Sequence, residues 1–295
     1  ARLKAQFGAD KVVDFSSGSP DVPPPPQFKE AVIKILTEDK PGIHGYMPNA
    51  GWPVVREKVA AHLNQTQSQG LTNSFGPQHI LMTVGAAGAL NITFKAILDP
   101  GDEVITPRPY FMEYNFYADN FGAKIVPADP AEGFQLNLKS IADKITPATR
   151  AVLINSPHNP TGVIYKAEEL AELGRMLSQA SQKNGRPIFL ISDEPYRQLV
   201  YGGAKVPSVF AAYTHCLVGN SYSKDMSLPV ARICYLAIHP DTPACGPLSA
   251  TLAMSNCPSD FFRPLSLLHI FMRHLLCCCR GRQMSVGRPV VVWLS

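Results

Sequence analysis

Residues 221–235 read SYSKDMSLPVARICY, and two shorter stretches lie ahead of them: NSPHNPTG at 155–162 and SDEPYRQLVY at 192–201. Each begins where a short β-rich apolar run ends. Seven such runs are read, at 80–83, 103–106, 124–126, 151–155, 188–192, 217–220 and 233–238. Helical patterns fall between most of them, at 86–98, 138–145 and 166–184, the last with a well-formed apolar stripe. Strands and helices taking turns predict an α/β fold: a three-layer sandwich whose mainly parallel sheet is covered by helices on both faces. Ligand-binding groups then sit at the carboxyl ends of the strands, where the three stretches fall.

Ahead of this body, 17–26 reads as a stiff extended loop because of its proline run at 23–26, and 28–38 reads as a helix. No internal repeat is apparent. The formal charge of +4 over 295 residues is spread along the chain rather than gathered in Lys/Arg blocks, so charge gives no reason to expect a nucleic-acid partner. No charged, apolar and small-residue succession of a secretory signal opens the chain. The apolar stretch 265–279 is interrupted by His269, Arg273 and His274, which argues against a membrane span and for a cytoplasmic protein.

Past residue 256 the character changes. Lys is absent beyond Lys224 and Glu beyond Glu194, and the end is rich in Arg, Cys, Leu and Pro without a sustained period. A divergent domain, a linker or a reading-frame shift would each produce this, and the shift is the reading preferred. The division expected is 1–44 as an amino-terminal arm with part of a small domain, 45–256 as a large domain and 257–295 as an atypical, frameshifted tail. Cys245, Cys257 and the triplet at 277–279 crowd that end, but they form no disulfide framework. With His269 and His274 they invite a zinc reading, yet adjacent cysteines suit tetrahedral closure poorly, so no metal is expected.

The chemistry resides in the side chains of the three stretches. Lys224 has an amine able to form an imine with an aldehyde, and local positive charge or burial would lower the cost of using it. Arg232, eight residues on, can grip a phosphate with two N–H groups, and Ser221 and Ser223 add hydroxyl donors. Asp193 closes an apolar run, so its carboxylate should emerge at a strand tip, where it can keep a pyridine nitrogen protonated. Tyr196 and Asn159 can both bond a ring oxygen. The segment TVGAAGALN places Gly85, Ala86 and Ala87 between a strand and a helix, where small residues let backbone N–H groups approach an anion. Phe111, in PRPYFMEY, can cover a ring by offset stacking. Every one of these has a plainer reading: surface lysine, helix cap, turn residue or core aromatic. Together they describe a socket for pyridoxal 5'-phosphate.

On these motifs, with GDEVITPRPYF at 101–111 and GYMPNAGW at 45–52, the chain resembles the class I/II, fold type I pyridoxal-phosphate aminotransferases from about residue 14 to 256. The resemblance implies transfer of an amino group between an amino acid and a 2-oxo acid. It implies Lys224 as the Schiff-base lysine and proton shuttle, Asp193 on the pyridine nitrogen, and Asn159 and Tyr196 on the ring oxygen. Phe111 becomes the stacking aromatic, with Gly85, Ala86, Ala87, Ser221, Ser223 and Arg232 around the phosphate. Tyr46 is similar to the family tyrosine that reaches the neighbouring subunit's phosphate, which implies a homodimer. Gly18, in SSGSPDVP, matches a loop that closes near the substrate carboxylate, so Gly18 and Asn159 are the candidate substrate contacts.

The chain also departs from the family pattern. Val230 and Cys234 stand where family glycines are usual, which predicts altered close packing there. The family arginine that clamps the substrate carboxylate has no matching context among Arg263, Arg273, Arg280, Arg282 and Arg288, and the small domain is read as incomplete. Three alternatives remain open at this level: an active aminotransferase, another pyridoxal-phosphate enzyme (lyase, decarboxylase or synthase) on the same scaffold, and a cofactor-binding remnant without turnover. A nicotinamide-binding domain ranks below them because no GxGxxG follows the first strand.

Overall fold

The computed structural model describes residues 2–12, 18–38, 40–41 and 45–256; the tail at 257–295, with its arginines and its cysteine triplet, lies outside the described residues. In chain order the described elements are α1 (Arg2–Phe7), α2 (Pro26–Glu38), α3 (Pro53–Thr66), β1 (Ile80–Val84), α4 (Gly85–Ile97), β2 (Glu103–Pro107), α5 (Glu113–Asp119) and β3 (Lys124–Ala128). They continue with α6 (Leu138–Ala142), β4 (Thr149–Asn155), α7 (Ala167–Asn184), β5 (Phe189–Asp193), β6 (Cys216–Ser221), α8 (Tyr222–Asp225), β7 (Ile233–Ile238) and α9 (Cys245–Asn256). All seven expected strands are present. The sequence reading did not find α1, α3, α5, α8 and α9, and it carried α6 three residues too far.

The strands form one sheet in the order β1-β7-β6-β5-β4-β2-β3. Five neighbouring strands, β3, β2, β4, β5 and β6, run parallel, and β7 runs antiparallel to both β6 and β1. The central strands are apolar without interruption because both faces are covered, as parallel sheets require. Alternate residues therefore enter different cores: Leu190 packs with Leu170, Leu173 and Leu177 of α7, whereas Phe189 and Ile191 face α4 with Ile92 and Phe94. No helix among the described residues is long and apolar enough to cross a membrane.

Of the two departures from the family glycines, neither disturbs packing. Val230 is almost wholly exposed at 88%, and Cys234 is fully buried within β7, paired with Thr83 on one side and Ser221 on the other. A strand interior accepts a side chain that a turn would not.

One helix glycine is required by close approach. A Cβ on Gly174, within the buried stripe of α7, would overlap the carbonyl oxygen of Ala212 and come within 3.2 Å of the Tyr213 Cβ. Backbone cannot swing aside, so Gly174→Ala is expected to destabilise the protein by about 1–3 kcal/mol in urea unfolding. Gly246→Ala in α9, where a Cβ meets nothing within 4 Å, should be neutral or slightly stabilising.

Candidate functional site

Sheet topology brings the ends of several elements to one edge. The tips of β4, β5 and β6 are in register, Asn155 opposite Asp193 and Asp193 opposite Gly219. Because β7 is antiparallel, its beginning lies at this same edge, Ile233 opposite Val84 at the end of β1. Arg232 therefore arrives beside the turn from β1 into α4, while Lys224 arrives from the other side on α8, which leaves the tip of β6.

Asp193 is buried at the tip of β5, and its Oδ2 accepts a hydrogen bond from the Tyr114 hydroxyl at 2.7 Å. Its Oδ1 is buried without a hydrogen-bond partner. Burial pushes this carboxyl up to about 6, against the lowering effect of the Tyr114 bond and with a further push from Glu194. Beside it, Asn155 donates from Nδ2 to the Asp193 carbonyl at 2.7 Å and accepts at Oδ1 from the Asn159 N–H at 2.6 Å. Asn159 has its own Oδ1 buried and unpartnered. Two acceptors left over in a dry place are costly unless something donates to them.

The residues expected to hold an anion lie as follows. Gly85 starts α4 at φ +69°, and its N–H donates to the Arg232 carbonyl at 2.9 Å. A Cβ on Gly85 would overlap the Arg232 guanidinium, reaching Cζ at 2.7 Å, so this guanidinium lies directly over the first turn of α4, which also presents Ala86 and Ala87. Arg232 itself is held at φ +51°, a left-handed conformation costly for a side-chain-bearing residue. Ser221 caps α8, its Oγ accepting from the Ser223 N–H at 3.2 Å and lying 2.8 Å from the Ser223 hydroxyl. The guanidinium thus sits over the helix start, and the two hydroxyls are paired with each other at the tip of β6.

Lys224 is half-buried, and burial lowers its pKa. Its Nζ donates to the Gly18 carbonyl at 2.7 Å, so the segment expected to close over the site does touch the lysine. Tyr196 follows β5, and burial, with the charge of Asp193, pushes its phenol up to about 12. Phe111 stands edge-on to Tyr114, centroids 5.7 Å apart at 82°. Tyr46 is the residue the single chain does not bring in: at 101% exposure it touches none of the others.

Sequence reasoning missed Tyr114 and Asn155, although each lies within a stretch that it quoted. Tyr114 was visible as the aromatic one helical turn after Phe111. Asn155 was counted as the end of a strand, which conceals that its amide bridges two loops.

Residues 10–268 match the family model for aminotransferase class I and II. A probable aspartate/prephenate aminotransferase of Aquifex aeolicus is 38% identical over 77% of this chain and 56% of its own length. The aspartate/prephenate aminotransferase of Thermus thermophilus is 34% identical over 84% of this chain and 60% of its own. An amino transferase from Eubacterium rectale superposes with a TM-score of 0.84 at 34% identity, covering 94% of this chain and 69% of that one. This chain thus spans little more than half the length of the curated relatives it matches.

The lifted Asp193 carboxyl has a consequence for stability. A group that binds its proton more tightly when folded stabilises the fold fully below its unfolded pKa and loses that contribution as pH rises through about 6. Asp193→Asn is therefore expected to make the unliganded protein more stable at pH 7 by about 2–3 kcal/mol, with no gain at pH 4, in denaturant titrations across that range.

Proposed function

This chain belongs to the aminotransferase class I and II family, and from that premise we propose that it binds pyridoxal 5'-phosphate and transfers an amino group between an amino acid and a 2-oxo acid. One observation carries the reading: Asp193 Oδ1 is buried without a partner at the sheet edge to which the chain also brings Lys224 and the Arg232–Gly85 pair. A cofactor with a protonated ring nitrogen at one end and a phosphate at the other supplies the donor that Asp193 Oδ1 lacks and an anion for the cradle. A second copy, a homodimer with shared sites, belongs to the proposal because Tyr46 is wholly exposed in its own chain. Residues 45–256 form the large cofactor-binding domain in this reading, with 1–44 as the arm and the start of a small domain. The unpaired thiols of Cys216, Cys234 and Cys245 suit a reducing, cytoplasmic setting.

In this proposal the phosphate is held by Arg232, by Ser221 and Ser223, and by the first amides of α4 at Gly85, Ala86 and Ala87, where the helix dipole favours an anion. Asp193 holds the ring nitrogen through its unpaired oxygen; a cation there lowers the carboxyl's pKa and keeps it ionised. Phe111 covers the ring, and Asn159 and Tyr196 lie at its oxygen. When bound, the cofactor supplies an electron sink for the bond broken at the substrate's alpha carbon. Lys224 Nζ removes and returns the proton at that carbon, and its burial raises the fraction of free amine available near neutral pH. Gly18, bonded to this amine through its carbonyl, places the 18–22 segment at the mouth of the site as a substrate contact.

Incubation with pyridoxal phosphate followed by borohydride reduction is expected to attach the cofactor to the peptide containing Lys224. Lys224→Ala should remain unlabelled and lose at least about 10³-fold in amino transfer from amino-acid donors. Label on another peptide, or none, removes the reading.

A further inference from the structure

Asn256 closes α9 with 1% of its surface exposed, and it has no role in the chemistry above. Its Nδ2 donates to two backbone carbonyls at once, that of Asn49 at 2.6 Å and that of Met82 at 3.0 Å. Both partners are acceptors, so the amide nitrogen is the atom that faces them; Oδ1, turned away, is buried without a partner among the described residues. Met82 lies in β1, which pairs only with β7 among the described residues and so has an open edge on its other side. A turn occupies that edge. The Gly51 N–H closes it on the Pro48 carbonyl at 2.7 Å, and the Met82 N–H donates to its Ala50 carbonyl at 2.9 Å. Arg56 holds the far end of the turn, Nε donating to the Gly51 carbonyl at 3.1 Å and Nη1 to the Pro77 carbonyl at 2.9 Å.

We propose that Asn256 is a positioning residue: it seats the 48–51 turn on the open edge of β1 and so fixes the segment from which Tyr46 projects toward the phosphate site of a second copy. Tyr46 is wholly exposed, so its own side chain gives this segment no anchor, and the bonds at 49–51 supply one. An edge strand ordinarily presents its N–H and C=O groups to water. Here a turn takes the N–H of Met82 and a side-chain amide takes its carbonyl. An apolar residue at 256 would leave both carbonyls unpaired, so the amide is retained for its two N–H groups although its oxygen is buried without a donor. The inference rests on the functional reading above for its purpose, since Tyr46 has a target only if two copies share a phosphate site, but the seat is a property of the single chain.

Hydrogen exchange in the cofactor-free protein tests the seat. Asn256→Ala is expected to speed exchange of the Gly51 and Met82 amides about tenfold while leaving β4 and β5 unchanged. Titration with pyridoxal phosphate tests the purpose. Asn256→Ala and Tyr46→Phe should each weaken binding about tenfold, and the double variant should be no weaker than Tyr46→Phe, because Asn256 acts on the cofactor only through the placement of that hydroxyl. A residue with a merely structural role would instead lower affinity equally in both backgrounds. If Asn256→Ala does not fold, Gly51→Ala displaces the same turn from within, since its Cβ would stand 2.6 Å from Met82 Cγ, and the same exchange and cycle are measured with it. Unaltered exchange at Met82, losses that add in the double variant, or a Tyr46→Phe variant that binds the cofactor as tightly as wild type overturns the proposal. Wild-type protein that does not bind the cofactor sinks the functional reading instead, and the exchange comparison still decides whether Asn256 seats the turn.

Discussion

The site is organised by a carboxylate kept out of water at the tip of β5. Asp193 is enclosed by apolar strands, receives one hydrogen bond, from Tyr114, and has its second oxygen unpaired. In that position the ionised form is penalised, so the protein carries a standing electrostatic cost that a cation or a charged donor would relieve. The neighbouring groups are arranged consistently with that demand. Asn155 bonds the Asp193 carbonyl and not its carboxylate, and Tyr114 takes Oδ2 but leaves Oδ1. Tyr196, pushed up by burial and by the same charge, stays a neutral phenol at any ordinary pH.

A penalty of this kind persists only if its surroundings do not relax, and the loop after β5 shows how relaxation is prevented. Glu194 is buried immediately after Asp193, but unlike Asp193 it is fully paired: Ser192 Oγ donates to Oε1 at 2.9 Å and Arg197 Nη1 to Oε2 at 2.9 Å. Arg197 continues to the carbonyl of Val206 at 2.8 Å, closing the loop on itself. A buried ion pair contributes little net stability once desolvation is counted, yet breaking it by removing one partner is costly. It therefore serves as a lock, and Tyr196, between the two partners in sequence, is held on the locked segment. Two adjacent acids thus do opposite things because one has a cation and the other does not.

Much of this was legible in the chain before any coordinates. The strands were found because both faces of a parallel sheet are buried, and uninterrupted apolar runs such as 151–155 and 188–192 stand out against polar connections. Lys224, Asp193 and Arg232 were singled out because an amine, an acid ending an apolar run and an arginine eight residues on describe a cofactor socket only in combination. Part of what was missed is short or double-natured. Helix α5 has seven residues and four of its first five are aromatic or amide side chains, so its period was swamped by the Phe111 motif ahead of it. Tyr114 reads as core and is core, and only its hydroxyl belongs to the site. Asn155 acts through a bond to a residue 38 positions away, and such a pairing leaves no trace in local spacing.

The antiparallel strand explains why a lysine after β6 and an arginine before β7, only eight residues apart, both lie at the same edge of the sheet. In a wholly parallel sheet every strand start lies at the edge opposite the strand ends, so a residue preceding β7 would be about a strand's length, roughly 20 Å, from the tips of β5 and β6. Reversing β7 removes that distance. The chain leaves β6 at Ser221, turns once through α8, and re-enters the sheet at Ile233 without crossing to the far edge. The left-handed conformation of Arg232 is what the sharp re-entry requires, and it also directs the Arg232 carbonyl to the Gly85 N–H and the guanidinium over the start of α4. Glycine at 85 then follows from the same geometry, since any Cβ there would displace the guanidinium. One reversal of strand direction accounts for the strained arginine, the obligatory glycine and the arrival of Lys224 and Arg232 at one edge of the sheet.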